Sequence, residues 1–259
     1  MSETLKSEIL NLIKLERLNC TIEEFKGKVD WDRISEYQKL SEEFIREFKG
    51  KVDWYWISIY QKLSEEVIRE FKDKVNWYGI SCNQKLNEEF IREFIDKVDW
   101  SGVSRYQKLN EEFIREFIDK VDWSYISKYQ KLSEEFIREF NLTIDPDNWL
   151  YWTDEQKIRV IKNYYDIDNE GFIVAWKGIR SDRYSKYNFQ FKYEKGQTYE
   201  AHCDCTDTEN SFGLSAWTKE KASQYCNELV VRVKIHVSDI GRIVHDGGKI
   251  RCFKQTFLD

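Results

Sequence analysis

Five tryptophans, Trp31, Trp54, Trp77, Trp100 and Trp123, stand 23 residues apart. Nearly the same phrase surrounds each: K-V-D/N-W-x-x-I/V-S-x-x-Q-K-L-S/N-E-E-F-I-R-E-F. A fixed period of this length marks one small structural unit repeated in tandem. A unit so short cannot bury its own apolar side, so each copy must pack on its neighbours. That requirement excludes most ways of folding the first half of the chain.

Each copy carries two helical phrases. In Leu40–Phe48, Ser41 is placed as an N-cap and two glutamates fill the first turn, where the helix dipole favours acidic groups. Ser64, Asn87, Asn110 and Ser133 hold the same place. Phe44, Ile45 and Phe48 then form an apolar stripe. The first phrase starts at Asp30-Trp31, with Asp30 as cap and Trp31 and Ile34 on one face. A strand reading fails because the apolar spacing does not alternate. The spacing therefore predicts an α-solenoid of short helix pairs over residues 1–145, with Trp31 and its copies in the core.

Within this frame some polar positions never change. Gln38, Gln61, Gln84, Gln107 and Gln130 suit a ladder tying each helix end to the next, and Arg46, Arg69, Arg92, Arg115 and Arg138 suit ion pairs between copies. Other positions differ in every copy. The pair after the tryptophan reads Asp32-Arg33, Tyr55-Trp56, Tyr78-Gly79, Ser101-Gly102, Ser124-Tyr125, and the residue after the serine reads Glu36, Ile59, Cys82, Arg105, Lys128. On a fixed frame, variation collects on the exposed face. Tyr55, Trp56, Tyr78 and Tyr125 are the candidate partner surface, because Tyr and Trp bring large contact area at low entropic cost. Indifferent drift on a solvated face accounts for the same variation.

The repeat resembles units found in proteins of giant viruses and phages, where V-D-W-x-x-I-S-x-x-Q-x-L-S-E-x-F-I recurs. The resemblance spans residues 25–140 and implies a viral or virus-derived protein acting in the host cytoplasm. It implies no activity.

Composition narrows the partners. A net charge of -6 leaves no excess of basic residues to neutralise phosphates, so nucleic acid is not expected. No apolar run approaches a membrane span, and the Met1–Lys14 segment reads as a helix with Leu5, Ile9, Leu10 and Ile13 on one face rather than as a secretion signal. The six cysteines are scattered and read as reduced cytosolic thiols.

The period breaks at Asn141, and residues 146–259 read as a small α+β domain, making the whole chain α+β. Asp145–Asn148 is a turn, and Thr153–Gln156 opens a helix with Ile158, Val160, Ile161 and Tyr164 as its apolar positions. Strands are expected at Phe172–Trp176, Phe189–Tyr193, Leu229–Val237 and Lys249–Lys254, with a helix from Thr218 to Tyr225. The order of Trp176-Lys177-Gly178, Tyr193–Glu200 and Phe212–Trp217 resembles an uncharacterised phage and bacterial family with K-G-F, F-x-Y-x-x-G-K-x-Y-E and G-F-H-A motifs. More distantly it is similar to ADP-ribosyltransferases. That likeness implies a nucleotide-shaped cleft lined by Lys177, Gly178, Arg180 and Ser215. Here Lys177 stands in place of the transferase arginine, Ser215-Ala216-Trp217 in place of Ser-Thr-Ser, and no Glu-x-Glu follows.

Two further clusters read first as structure. His202-Cys203-Asp204-Cys205 offers zinc ligands, but a second close pair is missing. His245–Gly248 suits acid–base chemistry yet sits between strands as a hairpin turn. No catalytic residue, metal or cofactor is assigned. The leading expectation is a non-catalytic binding protein that holds a host protein or sequesters a nucleotide-derived immune signal. A divergent ADP-ribosyltransferase and an oligomerising scaffold are the rivals.

Overall fold

The computed structural model describes residues 1–186, 192–208, 211–244 and 248–259. The fold is α+β: regularly spaced short helix pairs are followed by a seven-stranded antiparallel sheet. The chain forms two compact units, Met1–Lys97 and Val98–Asp259, so the last two tryptophan repeats group with the sheet.

In the first unit, α1 (Glu3–Leu15) and α2 (Ile22–Lys28) precede three helix pairs. These are α3 (Trp31–Tyr37) with α4 (Glu42–Glu47), α5 (Trp54–Tyr60) with α6 (Glu65–Glu70), and α7 (Trp77–Asn83) with α8 (Glu88–Glu93). Such helices are too short to persist alone. Asp30, Asp53 and Asn76 cap the first helix of each pair, and Ser41, Ser64 and Asn87 the second. Burial does the rest: Ile34, Phe44, Ile45, Ile57, Val67, Ile68, Ile80, Phe90 and Ile91 are wholly enclosed. Each such side chain contributes roughly 1.5–3 kcal/mol.

The tryptophans differ from expectation. Trp31, Trp54 and Trp77 are only half-buried. Each lies on a phenylalanine near the end of its own second helix, at 5.1 Å for Phe48, 4.7 Å for Phe71 and 4.9 Å for Phe94. Each indole N–H donates to a carbonyl five residues earlier, on Lys26, Lys49 and Lys72. The indole nitrogen needs an acceptor, which holds the ring at the rim and leaves the centre to aliphatic and phenyl groups.

The polar invariants form the joints. The Gln61 amide donates to Ser35 O (3.0 Å) and Gln38 O (2.8 Å) and accepts from Leu40 N (2.9 Å). Gln84 repeats this on Ser58 O, Gln61 O and Leu63 N. The buried serine closes a second joint: Ser35 Oγ accepts from Asp53 N, and Ser58 Oγ from Asn76 N. Outside, Arg46 pairs with Glu70 and Arg69 with Glu93, both at 2.7 Å. The expected ladder and ion pairs are thus both present.

α1 ends this frame, with a buried face of Leu5, Ile9 and Leu12; Leu10, expected on that face, points to solvent. Its Glu8 accepts from Ser41 N (2.8 Å) and Ser41 Oγ (2.5 Å). Glu16 accepts from Gln38 Nε2 (2.6 Å) and Arg33 Nε (2.8 Å).

The second unit holds α9 (Trp100–Tyr106) with α10 (Glu111–Glu116), and α11 (Trp123–Tyr129) with α12 (Glu134–Glu139). The same joints recur: Gln130 donates to Ser104 O and Gln107 O, and Arg115 pairs with Glu139. The ladder stops at Gln130, because Thr153 stands one period further on. Instead the Tyr151 hydroxyl donates to Gln130 O (2.8 Å) and lies against the Leu132 backbone N–H, two of the three groups a next glutamine would serve. Tyr151 lies in one 3-10 turn, Trp149–Tyr151, beside buried Asn148, whose Nδ2 donates to Lys128 O (2.8 Å).

The sheet contains β1 (Phe172–Ile179), β2 (Thr198–Glu200), β3 (Leu214–Trp217), β4 (Leu229–His236), β5 (Ile240–Val244), β6 (Lys249–Cys252) and β7 (Lys254–Phe257), in the order β2-β7-β4-β1-β3-β6-β5. α13 (Asp154–Ile161) and α14 (Lys219–Tyr225) accompany it. Of the apolar positions expected for α13, Ile161 is buried and Ile158 and Val160 pack half-buried against the core, while Tyr164 is 43% exposed; Lys157 is buried as well. Residues 189–191 of the expected Phe189–Tyr193 strand, and residues 245–247 of the expected hairpin turn, lie outside the described residues. Among the described residues no helix is long and apolar enough to cross a membrane.

Candidate functional site

In the terminal domain, β1 alternates its side chains, so Ile173, Ala175, Lys177 and Ile179 face one way and Trp176 and Gly178 the other. Lys177 is 5% exposed. Its Nζ donates to Ser215 O (2.6 Å) and lies 5.0 Å from the Tyr193 ring and 5.5 Å from the Trp217 ring. Burial pulls its pKa down to about 8, against the pull of the neighbouring Cys252 thiol. The same burial pushes Cys252 up to about 12.

Gly178 lies under α14. A Cβ there meets Ala222 O at 2.3 Å and Cys226 O at 2.6 Å, so only glycine allows this approach of helix to strand. Arg180 pairs with Asp182 at 2.7 Å. The structure therefore joins Lys177 to Ser215 through a backbone carbonyl, places Gly178 against a helix, and ties Arg180 into its own turn. A shallow depression on α14 is lined by Lys219, Glu220, Ser223 and Gln224, none of them a residue that the motifs single out.

The loop after β2 is organised by buried Arg251. Its guanidinium donates to Asp204 O, Thr206 O and Thr208 O and faces the Asp204 carboxylate at 3.7 Å. Cys203 and Cys205 are buried free thiols, and burial raises Cys203 well above the ordinary thiol range. Among the described residues no group of three or more His, Cys, Asp or Glu is placed to hold a metal ion.

On the repeats, the copy-to-copy variable positions fare differently in the two units. In the first, Tyr55 is 48% and Tyr78 60% exposed. Trp56 is half-buried, 4.8 Å from Tyr55 and stacked on Tyr60 at 5.6 Å. In the second, the variable residue Arg105 lies within 5.0–5.9 Å of the rings of Tyr106, Tyr129, Tyr125 and Phe212. Phe212 belongs to the loop before β3 and meets Tyr106 at 4.8 Å and Tyr129 at 5.4 Å, with His202 stacked on Phe212 itself at 5.6 Å. The expected surface residue Tyr125 thus helps seat the chain's own terminal domain. Sequence reasoning flagged position 105 as variable but missed its contact, because nothing local ties Arg105 to a loop over a hundred residues away.

Comparison with protein-family models, curated proteins and solved structures returns no match.

Proposed function

We propose that this chain is a non-catalytic binding scaffold whose first unit anchors a protein partner through Tyr55, Trp56 and Tyr78. One observation carries the reading. The invariant polar side chains Gln61, Gln84, Ser35 and Ser58 are consumed in joints, while large aromatics at the variable positions stand in solvent. Tyrosine and tryptophan are the residues that most often dominate binding energy at protein interfaces.

The test is affinity capture from host-cell extract with wild type, a Tyr55→Ala/Tyr78→Ala variant and a Lys28→Ala control, read by quantitative mass spectrometry. A protein retained by wild type and control and lost by the double variant is expected. Identical capture by all three overturns the reading. In parallel, incubation with labelled dinucleotide is expected to leave the chain and added protein unlabelled. Covalent transfer abolished by Lys177→Ala would instead favour a transferase.

A further inference from the structure

Three periods separate two equivalent sets of side chains. Arg105 and Tyr106 lie five and six residues after Trp100, and Tyr125 and Tyr129 two and six after Trp123. The same offsets from Trp31 and Trp54 give Glu36, Tyr37, Trp56 and Tyr60. The three rings persist, with Trp56 for Tyr125, and the arginine has become a glutamate. From Trp54 and Trp77 the offsets give Ile59, Tyr60, Gly79 and Asn83, so that pair of copies does not repeat the set.

The unit with Arg105 shows what such rings do: they surround a guanidinium, which their negative faces attract. In the other set, Trp56 stacks on Tyr60 at 5.6 Å, as Tyr125 approaches Tyr129 at 5.9 Å. Tyr37 is 51% exposed and lies beside the Glu36 carboxylate, which pushes its hydroxyl pKa up, with Tyr60 acting in the same direction. Arg33 approaches Tyr37 at 5.9 Å but is anchored by Glu16 at 2.8 Å. Among the described residues Glu36 forms no ion pair.

The geometry points to a site for a basic side chain, arginine above all, of a protein partner. It is bounded by Tyr37, Trp56 and Tyr60, with Glu36 supplying the countercharge. The cation that the second unit provides internally would come here from the partner. This deepens the proposed scaffold function and rests on it only for the claim that the arginine belongs to a protein.

The probe is N-acetylarginine amide, titrated into the full chain, with neutral N-acetylcitrulline amide as isostere. The readout is the Trp56 indole N–H resonance, assigned with Trp56→Phe. Saturable shifts with the arginine probe are expected, weaker by about tenfold or more with citrulline. They should weaken in Glu36→Gln and vanish in Glu36→Arg, which supplies the cation internally. A silent wild type, or equal shifts in Glu36→Arg, overturns the inference. If the probe binds while capture is insensitive to Tyr55 and Tyr78, the site stands and the scaffold reading fails. If capture needs Tyr78 while the probe is silent, the reverse holds.

Discussion

Gln84 shows how one side chain decides whether two copies cohere. It serves three backbone groups, Ser58 O, Gln61 O and Leu63 N, at a buried position. Stranding buried polar groups is costlier than losing an exposed ion pair. Gln84→Ala is therefore expected to lower stability by about 3 kcal/mol in urea unfolding. Arg69→Ala, which breaks the exposed pair with Glu93, should leave it nearly unchanged in the same measurement. His202 gives a pH signature. Burial holds its pKa down to about 4, although a backbone contact with Tyr129 opposes this. An unfolded histidine titrates near 6.5, so between about 4 and 6.5 the unfolded chain binds the extra proton. The stabilisation is full above about pH 6.5 and falls by up to about 3 kcal/mol as pH drops to about 4. His202→Phe keeps the stack on Phe212 and should lose this part of the acid dependence, measured as the difference between the two proteins' stability curves.

At the scale of elements, α1 is a lid for the first repeat rather than a further copy. Glu8 and Glu16 reach Ser41, Gln38 and Arg33. A Glu8→Ala/Glu16→Ala variant should speed amide exchange through α1 and at Ser41, leaving α7 and α8 protected. The helices were legible because caps and apolar stripes recur at fixed offsets, and so were the glutamine ladder and the ion pairs. The placement of Leu10 and Tyr164 was not, since one short amphipathic turn allows more than one inward face. Nor was the half-exposed state of the tryptophans, which follows from an indole N–H that must find a carbonyl. In the terminal domain the strands at Phe172 and Leu229 announced themselves by alternation. The seat of Arg105 under Phe212 and the burial of Lys177 beneath Tyr193 and Trp217 depend on distant pairings that no local pattern encodes.

At the scale of the whole molecule, the two compact units use one repeat chemistry for different ends. In Val98–Asp259 the variable positions receive the chain's own loop, and in Met1–Lys97 they display tyrosines. The hydroxyl of Tyr151 carries one more implication. It addresses Gln130 O and the Leu132 N–H, two of the three backbone groups that a further glutamine of the series would serve, just as Glu8 takes the backbone N–H of a helix cap and Glu16 an invariant glutamine. Neither end needs to know how many copies lie between. Excision of residues 62–84, one full period, should therefore leave a protein that folds, with its helix signal by circular dichroism reduced in proportion and its near-ultraviolet signature retained. A gene of this kind can lengthen or shorten by unequal recombination between copies and yield a working chain each time. The number of displayed copies thus becomes a heritable quantity that changes in whole steps.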